Sequence, residues 1–231
     1  MSLQGKHVVI VGGASGMARQ LAEDAVAEGA AVTWAGRTPE RLVLPGVRAA
    51  YADLGDELSL KALAEDVGEL DHLVSLASDP ANGPITTVDR AALTKTFDAK
   101  VIGPILLAKH FAPRFAEGGS ILLFSGFIAW RPVPERVAMA TANGAVAFLA
   151  EALAVELAPI RVNALSPGVV DSGAWDRLGE AKDGFFRRTA ESIPTRRVGS
   201  SADISAAARQ ALTNPFATGT IFHVDGGARL G

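Results

Sequence analysis

Four apolar residues, Val8 to Val11, run directly into Gly12, Gly13 and Gly16, and no other stretch constrains the fold of this chain as strongly. A buried strand that ends in glycines and feeds a helix opens a nucleotide-binding unit. A phosphate can approach a backbone only where side chains are absent. The helix that follows, expected over about Ser15 to Glu28, presents unpaired N–H groups and the positive end of its dipole. The spacing is G-x-x-x-G-x-A, with Ala18 where a third glycine would let helix pack on strand. Gly12, Ala14, Ser15, Gly16 and Met17 are therefore the candidate phosphate contacts. Glycine turns after strands also arise for steric reasons alone. The phosphate is favoured here because a repeated strand-and-helix pattern follows.

That pattern sets the fold class. Strands are expected at His7 to Val11, Ala31 to Trp34, Val47 to Tyr51, His72 to Leu76, Ser120 to Phe124, Arg161 to Ala164 and Thr220 to His223. Helices are expected at Gly16 to Glu28, Glu57 to Val67, Arg90 to Phe115, Val137 to Leu157 and Ala202 to Leu212. Strands separated by helices at this interval imply a single α/β domain over residues 1–231. Its sheet is parallel and doubly wound, with right-handed crossovers, helices on both faces and ligands at the carboxyl ends of the strands. One segment departs from the pattern. Asp171 to Gly199 is polar, contains glycines and carries Trp175, Phe185 and Phe186. It is too long for an ordinary connection and is expected to form a lid.

Composition narrows the function classes. A net charge of −3 and scattered arginines give no footprint for nucleic acid. Cysteine is absent, which removes disulfides, thiolate catalysis and zinc–sulfur sites. The four histidines lack metal-ligand spacing and are expected at the surface or at strand ends. Without a signal-like N-terminus or an apolar run of about 20 residues, a cytoplasmic protein with no membrane partner is expected.

Several stretches together resemble the short-chain dehydrogenases/reductases over essentially the whole chain. They are the glycine loop Gly12 to Gly16, Asp53-Leu54, Arg161-Val162-Asn163-Ala164-Leu165-Ser166-Pro167-Gly168 and His223-Val224-Asp225-Gly226-Gly227. The resemblance implies a Rossmann-like sheet of about seven strands, a nicotinamide dinucleotide across its edge, a small-molecule substrate and a homodimer or homotetramer. It places Asp53 and Leu54 beside the adenine and Ala77 in the turn after the fourth strand. It also sets Pro167, Gly168 and Val170 along the nicotinamide, and gives Ser172 a hydrogen bond to the carboxamide or pyrophosphate.

The end of the second strand bears on which dinucleotide is bound. A ribose with free hydroxyls calls for a carboxylate there, and none is present. Arg37 supplies a guanidinium fork suited to a 2′-phosphate, with Thr38 as a further donor, so NADP(H) is expected over NAD(H). The competing possibility is a solvated arginine capping a turn.

The catalytic positions depart from what the resemblance implies. Met139 falls where the family places its tyrosine and Asn143 where it places its lysine. Gly126 takes the serine position, beside Ser125, and Lys100 takes the asparagine position. The chain's one tyrosine, Tyr51, is expected on the adenine side. Hydride transfer to a carbonyl leaves an alkoxide that needs a proton donor within reach. The family's lysine and asparagine thus occur in exchanged positions, which makes Lys100, Asn143 and Ser125 the candidate catalytic groups. The alternative is a snorkelling surface lysine and a serine that merely ends a strand. Arg131, Glu135 and Arg136 could meet an acidic substrate or simply form a solvated loop. Two functions follow: an NADP(H)-dependent oxidoreductase of a small carbonyl or alcohol with a non-standard donor, or a non-catalytic NADP(H)-binding sensor or structural subunit.

Overall fold

The computed structural model describes residues 2–13 and 16–231. Seven parallel strands form the central sheet in the order β3-β2-β1-β4-β5-β6-β9. These are β1 (His7–Val11), β2 (Ala31–Gly36), β3 (Val47–Tyr51), β4 (Leu70–Ser75), β5 (Phe115–Phe124), β6 (Arg161–Pro167) and β9 (Ile221–Val224). The order reverses at β1, whose neighbours are β2 and β4, so the crevice above its carboxyl end is the switch point where such sheets bind ligands.

Alternation along β1 builds both halves of the core. Val8 and Ile10 face one layer, with Leu21 and Ala25 of α1 (Met17–Ala27) and Ile204 and Ala208 of α7 (Ser201–Thr213). Val9 and Val11 face the other. There they meet Leu60 and Leu63 of α2 (Glu57–Val67), Leu107 and Phe111 of α4 (Gly103–Phe111) and Val146 of α5 (Val137–Glu156). Local chemistry marks the helix starts. Asp56 accepts from Leu58 N at 3.0 Å ahead of α2, and Ser200 and Asp203 form a reciprocal capping box at α7.

The expected helix Arg90 to Phe115 is divided. α3 (Arg90–Phe97) widens into a π-turn at Asp98–Ile102 before α4 begins. Pro104 has no N–H to give, and Gly103 N reaches back to Asp98 O, which loosens the turn in front of the proline. A 3₁₀ turn at Ala112–Arg114, around Pro113, ends this stretch, and β5 starts at Phe115 rather than Ser120. A second correction concerns His72. It is buried within β4, with Nδ1 2.9 Å from Ser120 Oγ, and desolvation lowers its pKa to about 4.

By length and composition α5 could cross a bilayer. In this fold its Ala138, Ala142, Val146 and Ala150 face is buried toward the sheet. The excursion after β6 is fastened at both roots by a short parallel pair, β7 (Val170–Asp171) and β8 (Gly199–Ser200). It contains α6 (Ala181–Ser192), none of whose residues is buried. Trp175, Phe185 and Phe186 pack on one another with ring centroids 4.6 and 5.8 Å apart. Lys182 Nζ lies 2.7 Å from Asp176 and 2.9 Å from Asp171, and these two hydrogen-bonded carboxylates push the ammonium up to about 12.

Candidate active site

A cleft of about 710 Å³ opens above the carboxyl ends of β1, β2, β3 and β4. Of the expected cofactor contacts, Gly12, Met17, Arg37, Thr38, Asp53, Leu54, Ala77 and Ser172 all line it. Ala14 and Ser15 lie outside the described residues. The floor is a close fit: Gly12 has φ +97°, and a Cβ there would lie 2.5 Å from that of Ala77. Gly16, with φ +62°, has the Ser172 carbonyl where its own Cβ would stand, so the start of the excursion after β6 packs directly against this glycine. Only residues without side chains allow this approach, so contacts within the protein already require glycine at both positions.

Three expected contacts lie elsewhere. Pro167 pairs with Val224 at the end of β6, and Gly168 packs on the Asp225 backbone. Val170 is buried in the core and pairs with Gly199. None of the three lines the cleft. Conversely, Arg41, Asp79, Lys95 and Asp98 line it and carry no motif that would have selected them.

The candidate catalytic groups are linked through the end of β5, and none of the three lines the cleft. The π-turn puts Asp98 and Ala99 in the cleft wall and turns Lys100 inward, where it is only 6% exposed. Its Nζ donates to Phe124 O at 3.0 Å, and desolvation lowers its pKa to about 8. Lys100 is thus a buried ammonium and not a snorkelling surface residue. Ser125 extends the β5 ladder by donating its N–H to Leu165 O at 2.8 Å. Its hydroxyl donates to Asn143 O at 2.7 Å, so its own proton is already engaged by the α5 backbone. Asn143 is buried at 3% exposure, and its Oδ1 lacks a hydrogen-bond partner among the described residues. A Cβ on Gly126 would lie 2.8 Å from Asn143 Nδ2, so the amide occupies the space beside that glycine. Met139 precedes Asn143 by one turn on α5, half-buried, and Tyr51 stands 52% exposed at the end of β3.

The loop at the far side of the site is fixed rather than free. Arg131 donates to Ala228 O at 2.9 Å, and Trp130 stacks edge-on against His223 with centroids 4.5 Å apart. Arg131 therefore ties the loop to the C-terminal tail.

Comparison with known proteins agrees with this geometry. A family profile described as enoyl-(acyl carrier protein) reductase matches residues 12–229. A short-chain dehydrogenase/reductase from Acremonium sp is 30% identical over 255 residues, covering 99% of this chain and 97% of the relative. A small-chain dehydrogenase solved in complex with NADPH superposes with a TM-score of 0.84 at 33% identity, covering 99% of this chain and 100% of that one. The MalC reductase/Diels-Alderase from Malbranchea aurantiaca gives a TM-score of 0.91 at 26% identity, with 99% and 98% covered. With a switch-point cleft floored by glycines and a profile match over nearly its full length, the chain belongs to the short-chain dehydrogenase/reductase family of oxidoreductases.

Proposed function

We propose that this protein is an oxidoreductase that binds NADP(H) in preference to NAD(H) and interconverts a small carbonyl compound and its alcohol, with Lys100 as the proton-holding group. The observation that carries the proposal is the cleft itself. Gly12 and Ala77 meet at its floor, the Ser172 backbone crosses Gly16, and Arg37 and Thr38 stand where β2 ends with no carboxylate of that strand beside them. Bound there, the dinucleotide supplies or accepts the hydride. The glycine loop and Ser172 would hold its pyrophosphate, Asp53 and Leu54 its adenine, and Arg37 its 2′-phosphate.

Lys100 lies between the cleft wall and the end of β5. An ammonium has three N–H donors, and the carbonyl of Phe124 takes one of them. A pKa near 8 keeps it charged at neutral pH while bringing it close to the range where a proton is readily given up. Asn143 Oδ1, buried and without a hydrogen-bond partner among the described residues, takes no bond from Lys100 and is left open to another donor. Ser125 contributes by fixing the α5 backbone rather than by donating its proton.

A second function is favoured by a specific observation. Lys100, Ser125 and Asn143 all lie behind the cleft lining, and the first two donate to backbone carbonyls. That arrangement suits a protein that binds NADP(H) without turning it over. Measuring NADPH oxidation against a panel of small aldehydes and ketones, with Lys100→Met as the control, separates the two. Turnover lost in the variant with cofactor affinity retained supports the enzyme; cofactor binding with no turnover supports the binding protein. An assembly of two or four copies is also proposed, because Ile105 of α4 and Phe148 and Val155 of α5 stand 42%, 73% and 82% exposed. A monomer in sedimentation would exclude it.

A further inference from the structure

Arg37 does not stand alone at the mouth of the cleft. Its Nη1 lies 3.6 Å from Oδ2 of Asp79, a residue of the loop that follows β4, and both side chains line the same cavity. The strand order brings them together: β2 and β4 flank β1, so the loops beyond their carboxyl ends face each other across the glycine loop. Asp79 is held in place from behind. The fully buried Thr96 of α3 donates its hydroxyl to Asp79 O at 2.5 Å and accepts from Ala81 N at 2.9 Å. Two backbone contacts on one buried hydroxyl leave this loop little freedom to carry the carboxylate away from the guanidinium.

We propose that Asp79 is a specificity-determining residue, a fixed counter-charge that occupies Arg37 and tempers the preference for the 2′-phosphorylated dinucleotide. This rests on the assignment of Arg37 to that phosphate and deepens it. A phosphate arriving at Arg37 must share the guanidinium with Asp79 and meets a second anion a few ångströms away, whereas a ribose carrying only hydroxyls meets no such repulsion. Arg37 and Asp79 are 66% and 39% exposed, so solvent weakens their mutual attraction, and the pair opposes the phosphate without excluding it. The result is a graded preference in which both dinucleotides bind.

The test is calorimetric titration of NADPH and of NADH into the unaltered protein, Asp79→Asn and Arg37→Ala. Asp79→Asn preserves shape and removes the charge, and is expected to tighten NADPH about three- to tenfold while leaving NADH within about twofold. Asp79→Ser serves as a second neutral variant should the amide perturb the loop. Arg37→Ala is expected to abolish most of the preference for NADPH. If Arg37→Ala collapses that preference but neither neutral variant at position 79 widens it, Asp79 has no part in specificity and the Arg37 assignment stands. Neutral variants that weaken NADPH, or that tighten both dinucleotides equally, overturn the counter-charge in the same way. If Arg37→Ala leaves the ratio of the two affinities unchanged, the phosphate is not held by Arg37, and both assignments fall.

Discussion

Replacing Lys100 by methionine should stabilise the protein at neutral pH, by an amount that shrinks as the pH rises. The side chain is 6% exposed, faces no carboxylate among its hydrogen-bond partners and donates to a single carbonyl, Phe124 O. Desolvation lowers its pKa from the ordinary 10.5 to about 8, which corresponds to roughly 3 kcal/mol of penalty for the charged form in the folded state. The unfolded chain binds this proton more tightly than the folded one. The penalty is therefore complete below pH 8, declines between 8 and 10.5 and is absent above. Methionine keeps the volume and removes the charge but strands the Phe124 carbonyl, at a cost of about 1–3 kcal/mol that does not vary with pH. The net gain at pH 7 is thus about 0–2 kcal/mol. The more decisive quantity is the difference between the two proteins, in which all other titrations cancel. It should move by about 2 kcal/mol in favour of the lysine protein between pH 7 and pH 9.5, a relative shift of about 1 M in the urea midpoint. Equilibrium urea unfolding at both pH values measures it. A difference that stays constant with pH would show that Lys100 is not a buried, desolvated ammonium, and its role as the proton-holding group would go with it.

Other consequences are equally specific. His72 should remain neutral until about pH 4, so its ring resonances in a proton–carbon NMR titration should show no midpoint near 6.5; because the unfolded histidine takes its proton first, stability should fall as the pH drops from 6.5 toward 4. Gly12→Ala forces a Cβ to within 2.5 Å of that of Ala77 at φ +97° and is expected to cost roughly 1–3 kcal/mol in stability, with nucleotide affinity reduced at least about tenfold. Gly126→Ser alone should destabilise by about 1–3 kcal/mol, since its Cβ meets Asn143 Nδ2 at 2.8 Å, and adding Asn143→Ala should recover most of the loss in a thermal melt.

Much of the fold was legible because its signals are local. The apolar run Val8 to Val11, the glycines that end β1 and the regular return of strand after helix define the sheet, and eight of the expected cofactor contacts line the cleft. Ser125 reaches the Asn143 backbone and Lys100 the neighbouring Phe124 carbonyl, contacts that the separate stretches of sequence do not announce. The long helix from Arg90 was misjudged as continuous because an apolar pattern runs through it. Pro104 was the visible signal that it could not be, and the π-turn it imposes is what buries Lys100. The burial of His72 is not legible locally, because its partner, Ser120, lies on a strand far along the chain and only the β4–β5 register brings them together. Asp79 belongs to no motif; its pairing with Arg37 exists only through the order of strands in the sheet. Arg131 is recruited in the same way by the distant Ala228 carbonyl.

The central claim, that the cleft above β1 holds a nicotinamide dinucleotide and prefers the phosphorylated form, is tested most directly by titrating the unaltered protein calorimetrically with NADPH and then with NADH. Tighter binding of NADPH, with NADH weaker but measurable, is the predicted result. Equal or tighter binding of NADH would contradict the role given to Arg37, and failure of both to bind would contradict the cleft as a dinucleotide site.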